Sequence, residues 1–163
     1  MKLVVTWLID WPARVARHLV WLGPLVVRIT VGFVFMSTGW GKLNDLPRII
    51  DLFKELMIPM PELMAPFVSA IEFGGGLFLL LGLLTRWAAP PLVVVMIVAT
   101  LSAKLDQIDP ADSLFGKADT LLGFEEISYL AMFLWLALAG PGKVSLDYLL
   151  QRLTGSAEEV AGK

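Results

Sequence analysis

Apolar residues run along this chain in blocks too long for an ordinary soluble core. A helix needs roughly 20 mostly apolar residues to cross a bilayer. Four blocks approach that length: about Leu22 to Gly41, Leu63 to Leu84, Trp87 to Ala103 and Leu121 to Ala139. The first carries Arg28 as its only charge and the second Glu72. The third carries none, and the fourth has Glu125 and Glu126 near its start. Pro90 and Pro91 fall just after the short Thr85–Arg86 connection. A first-turn position suits them, because a missing N–H costs nothing there; a kinked start is the other reading.

Shorter stretches show amphipathic spacing. Leu46, Ile49, Ile50, Phe53, Leu56 and Met57 recur at helical intervals, with Asp51, Lys54 and Glu55 between them. Asn44 or Asp45 is placed to cap this helix, Pro47 suits its first turn, and Pro59 and Pro61 stop it. It reads as an interfacial helix over about 45–57, or as a lid on the bundle. Trp7 to Trp21 mixes Trp7, Trp11 and Trp21 with Arg14, Arg17 and His18, a pattern suited to the headgroup level. Near the end, Leu146, Leu149, Leu150 and Leu153 share a face over about 145–153, with Ser145 as a cap, and fraying is expected from Ser156 onward. The predicted fold is all-α: one domain, a four-helix transmembrane bundle with short interfacial helices.

Composition supports this reading. Hydrophobic residues make up 57% of the 163-residue chain, charged residues 17%, and mean hydropathy is +0.75. Soluble domains average about 45–50% apolar and about 25% charged. The formal net charge of −2 comes without a basic cluster, which argues against nucleic acid as a partner. With no cysteine, thiolate metal sites, Fe–S clusters and disulfides are excluded. With His18 as the single histidine, one copy cannot supply a bis-histidine haem. Met36, Met60, Met64, Met96 and Met132 are scattered as packing residues are, so no metal site is expected. The stretch Leu3–Ile9 is too short and too interrupted for a cleavable signal peptide.

Basic residues set the expected orientation. Lys2, Arg14, Arg17, Arg86, Lys143, Arg152 and Lys163 fall on one side, which is taken as the cytoplasm, with both termini there. Lys42, Arg48, Lys54, Lys104 and Lys117 fall on the other, among many acids.

Charges inside spans draw attention because insertion scales assign roughly 2.5–3.5 kcal/mol to Arg or Asp at a helix centre. Arg28, Gly32, Phe35, Gly39 and Lys42 share one stripe of the first span. Ser69, Glu72 and Gly76 share one of the second, with Gly75 beside them. Small residues let membrane helices approach closely, so Gly32, Gly39, Gly75 and Gly76 are candidate packing positions and both charges should face inward. Helix rise puts Arg28 and Glu72 roughly 9 Å apart in level, within reach of two extended side chains. A second layer is expected at the opposite face, with Lys42 paired to Glu125 or Glu126. Adjacent glutamates point about 100° apart, so the two should not both face inward. The pair Arg28–Glu72 has two readings: a contact that fixes helix packing, or a site for a proton, quinone or other small ligand.

Several segments together resemble the DoxX family. They are Arg28 and Gly32, Gly39-Trp40-Gly41-Lys42, Ile71-Glu72-Phe73-Gly74-Gly75-Gly76, Gly82-Leu83-Leu84-Thr85-Arg86, Met96 to Ala99, and Gly140 to Asp147. The resemblance spans about Leu25 to Tyr148. It implies a bacterial inner-membrane protein of four helices linked to redox chemistry. The family name derives from a subunit associated with thiosulfate:quinone oxidoreduction. Other members resemble accessory proteins of oxidative-stress complexes or of metal-responsive peptide systems. A histidine motif that some relatives carry after the third span is absent; Lys104 to Thr120 holds Asp106, Asp109 and Asp112 instead. The expected function is therefore a quinone-associated oxidoreductase subunit of a respiratory or oxidative-stress complex, with quinone as the compatible cofactor. The alternative is a non-catalytic anchor or assembly partner. Expected partners are the lipid bilayer and a protein of the same complex, with a homo-oligomer left open. A carrier fits less well, since the two halves show no internal repeat.

Overall fold

The computed structural model describes residues 6–154. The expected fraying after Ser156 and the first five residues lie outside that range. Among the described residues the chain forms eight α-helices and no strand. A π-helical turn, Thr6–Asp10, leads into α1 (Trp11–Leu19). Then come α2 (Leu22–Asn44), α3 (Leu46–Glu55), α4 (Pro61–Leu81) and α5 (Thr85–Ala103). The chain closes with α6 (Leu114–Gly123), α7 (Glu125–Ala139) and α8 (Leu146–Leu153).

Helices α2, α4 and α5 are each long and apolar enough to cross a membrane. The fourth expected span is broken. Helices α6 and α7 meet at 70°, with Phe124 in an extended conformation between them. Only 15 residues, Glu125–Ala139, form the bundle helix, a length of about 22 Å. Leu121 and Leu122 belong to α6. Two other boundaries move. Helix α5 starts at Thr85, so Pro90 and Pro91 lie inside it and not in its first turn. Helix α3 follows the expected amphipathic stretch, but Asp45 makes no side-chain cap and the Asn44 amide instead donates to the Trp40 carbonyl. Ser145 does cap α8, accepting from the Tyr148 N–H at 3.1 Å.

Helices α2 and α4 pack most closely, antiparallel, on the two stripes read from the sequence. The buried residues of α2 are Arg28, Val31, Gly32, Phe35 and Gly39; those of α4 are Ala65, Ser69, Glu72, Gly76 and Leu79. A Cβ on Gly32 would lie 2.7 Å from the Leu80 amide nitrogen, and one on Gly39 would overlap the backbone of Phe73. One on Gly76 would overlap the backbone at Met36. Backbone touches backbone here, which small residues permit. Gly75 serves α5 instead: a Cβ there would press on Leu92 at 3.0 Å. Inside the bundle, Val31, Leu79, Leu92, Phe133 and Leu136 are fully enclosed. Phe35 packs edge-on against Phe133 at 4.8 Å and Tyr129 at 5.2 Å. The outer faces remain apolar and exposed, as a bilayer requires: Phe33, Phe67, Val94 and Leu138 are examples.

Candidate functional site

The charged residues of the spans separate into two groups at opposite ends of the bundle. At one end, Arg28 is 3% exposed and reaches the loop after α7. Its Nη1 donates to the Pro141 carbonyl and its Nη2 to that of Val144, both at 2.7 Å. Gly82 ends α4 at φ +66°, and a Cβ there would overlap the guanidinium. Only a residue without a side chain ends the helix this way beside the arginine. Asp147 closes the same knot. Its carboxylate accepts from the N–H groups of Leu84 (2.7 Å) and Thr85 (3.1 Å), and its own N–H donates to the Gly82 carbonyl at 3.0 Å. It therefore caps α5 from more than sixty residues away, satisfying N–H groups that a helix start leaves unpaired.

At the other end, Lys42 and Glu72 form an ion pair. Lys42 Nζ lies 2.7 Å from both carboxylate oxygens. The lysine side chain is 34% exposed and the glutamate 4%. The pair separates two cavities. One is an open chamber of about 350 Å³ in which Thr38, Lys42, Glu72, Glu125, Glu126 and Tyr129 share the wall with Val34, Phe35, Met96 and Ala99. The second is an apolar groove of about 470 Å³ between α3, α4 and α5, lined by Leu52, Phe53, Phe67, Ile71, Val94 and Val98 and closed by Lys42 and Glu72. Leu52, Phe67, Val94 and Val98 are each over 40% exposed, so the groove opens on the lipid-facing surface. Glu126 faces Lys104 at 3.6 Å, and its Oε2 is buried without a hydrogen bond. Lys104 also sits 5.8 Å over the Phe124 ring, at the bend before α7.

Two expected pairings are thus replaced. Arg28 and Glu72 do not meet. Gly39 is level with the backbone of Glu72 and Phe73, eleven residues or about 16 Å along α2 from Arg28. Lys42 reaches inward to Glu72 and not to Glu125 or Glu126. Glu126 turns inward and pairs with Lys104, while Glu125 is exposed although it too borders the chamber, so the two do not both face inward. Asp147, Gly82 and Lys104 were not singled out for these roles. Ser145 beside Asp147 signals a helix start, but nothing local says that the aspartate caps a different helix.

The comparisons with known proteins agree with this architecture. The DoxX family model matches residues 23–105, from α2 to just past α5. The chain belongs to the DoxX family. It is 32% identical to "Inner membrane protein YqjF" of Escherichia coli, over 80% of this chain and 94% of that protein. It is 29% identical to "Inner membrane protein YphA" of the same organism, over 76% and 86%. It is 30% identical to "Putative oxidoreductase CatD" of Bacillus subtilis, over 77% and 85%. No solved structure matches significantly. This DoxX chain is a membrane protein, and the matched region holds both Arg28 and the Lys42–Glu72 pair.

Proposed function

We propose that this DoxX protein is a quinone-associated subunit of a membrane redox complex, with the quinone ring held at the Lys42–Glu72 pair. The observation that carries the reading is the position of that pair at the inner end of an apolar groove open to lipid. A lipid-soluble quinone needs an apolar path for its tail and polar groups for its carbonyls. Ligand sites combine those features: mostly apolar walls with a few placed polar groups. Lys42 Nζ is a donor for a carbonyl oxygen, and Glu72 an acceptor for a hydroxyl. The name of the Bacillus relative points in the same direction. Electrons would come from a partner protein, because this chain has no cysteine and one histidine. Arg14, Arg17, Arg86, Lys143 and Arg152 support placing the Arg28 end, with both termini, in the cytoplasm of a bacterial inner membrane.

The test is an equilibrium titration of the full-length protein in nanodiscs with a short-tailed benzoquinone and a short-tailed naphthoquinone. Saturable binding of one, weakened in Glu72→Gln and in Lys42→Met, is expected. No saturable binding of either would overturn the reading and leave the role of an anchor or assembly partner.

A further inference from the structure

The groove and the chamber meet at one carboxylate, and the surroundings of that carboxylate differ sharply in the two directions along the bundle. Toward the Lys42 end the chamber presents Thr38, Tyr129, Glu125 and Glu126, with Lys104 facing Glu126. Its 350 Å³ has room for on the order of ten water molecules at ~30 Å³ each. Toward the Arg28 end stand Phe35, Leu79, Leu92, Phe133 and Leu136, at 4% exposure or less. Phe35 locks edge-on to Phe133 and Tyr129 across this layer. The turn of α4 that follows Glu72 toward Arg28 presents Gly76, which has no polar side chain, whereas Ser69, one turn the other way, spends its hydroxyl on the Ala65 carbonyl at 2.7 Å. Beyond the apolar layer, the Arg28 guanidinium is held by the carbonyls of Pro141 and Val144.

We infer that Glu72 exchanges protons through the chamber with the membrane face where Lys42 and Lys104 emerge, and with that face alone. The inference rests on the reading above in taking Glu72 as the group that serves the groove. It adds a direction: whatever protons the groove's occupant takes or gives pass by way of Tyr129, Glu125 and Glu126. The charged groups around Glu72 fit this use. Lys42 faces it from α2, Glu125 and Glu126 from α7, and Lys104 follows α5, so two cations stand among three carboxylates. The buried, unpaired Oε2 of Glu126 offers an acceptor between Glu72 and the outside. Water chains through polar cavities carry protons, whereas an aromatic and aliphatic layer packed to interior density does not.

The absence of cysteine makes the test direct. Thr38→Cys sits in the chamber wall and Val31→Cys in the apolar layer. Asn44→Cys and Lys143→Cys mark the two faces. In proteoliposomes of the full chain, a membrane-impermeant maleimide is applied from each side. Thr38→Cys should react only from the side that labels Asn44→Cys, and Val31→Cys from neither. Ala99→Cys, which borders both cavities, replaces Thr38→Cys if that variant does not fold. The infrared carboxyl signal lost in Glu72→Gln should respond to an acid jump on the Asn44 side. It should respond at least an order of magnitude more slowly to a jump on the Lys143 side. Equal response from both sides, or a chamber cysteine closed to the Asn44 side, overturns the inference. Quinone binding is measured separately, so its absence removes the functional reading without changing the sidedness result.

Discussion

Arg28 and Lys42 lie on the same stripe of the same helix, yet their surroundings assign them opposite tasks. Arg28 is enclosed and donates to two backbone carbonyls, in a knot with Gly82 and Asp147 that ties α2, α4, α5 and the loop before α8. The cavity at this end, about 450 Å³ and lined by Arg86, Trp87, Pro141, Asp147 and Tyr148 among others, does not include Arg28 in its wall. Lys42 is one-third exposed, pairs with a side chain and borders both an apolar groove and an open chamber. The lesson is that a charge within a span becomes a site when its partner is a side chain beside accessible space. When its partners are carbonyls, it is a fastening. The two ends should therefore respond differently to substitution.

The largest effect is expected at the Arg28 end. Arg28→Leu removes two charge-assisted hydrogen bonds and leaves the Pro141 and Val144 carbonyls without their donors. Bonds to charged groups contribute about 1.5–3 kcal/mol each, so a loss of about 3–6 kcal/mol in unfolding free energy is expected by thermal or denaturant melting in detergent. A variant as stable as the parent would break the comparison. Next, Lys42→Met strands Glu72, which is only 4% exposed. Breaking a buried pair by removing one partner costs roughly 3–5 kcal/mol, and chamber water should reduce this to about 2–3. Glu72→Gln should cost about 1 kcal/mol or less, because the remaining lysine is 34% exposed and reaches solvent. The asymmetry between these two is read in the same melts; equal losses would mean that the chamber is dry. Gly39→Ala places a Cβ against the Phe73 backbone, and overpacking of this kind costs about 1–3 kcal/mol. It should also weaken ligand binding, since it separates the helices that carry Lys42 and Glu72. Asp147→Asn keeps one acceptor for the α5 N–H groups but loses the charge and the second acceptor, and should cost about 1–2 kcal/mol with binding unchanged.

Much of the bundle was legible in the chain because membrane helices obey simple period and length rules. The stripe Arg28, Gly32, Phe35, Gly39 turned inward as its spacing required, and Gly76 met it across the interface. Partnerships were less legible, because register between antiparallel helices is set by turns. Gly82 at φ +66° and Leu84 at φ +49° end α4 and start α5, and they bring Gly82 against Arg28. That fixes Glu72 at the level of Gly39, out of the arginine's reach. Leu84 in a left-handed conformation carries no sequence signal. The bend at Phe124 was hidden because Leu121 to Ala139 is apolar enough overall to read as one span despite Glu125 and Glu126. Gly123 followed by two acidic residues is the signal that marks a helix end and a new start there.

The central claim is that the Lys42–Glu72 end binds a ligand while the Arg28 end holds the fold. Side-by-side quinone titration and thermal melting of Glu72→Gln and Asp147→Asn tests it most directly. The account predicts that Glu72→Gln loses about 1.4 kcal/mol or more of binding, a tenfold change, at nearly unchanged stability. It predicts the converse for Asp147→Asn: parental affinity and a lowered melting midpoint. Parental affinity in Glu72→Gln, or weakened binding in a still-folded Asp147→Asn, would contradict it.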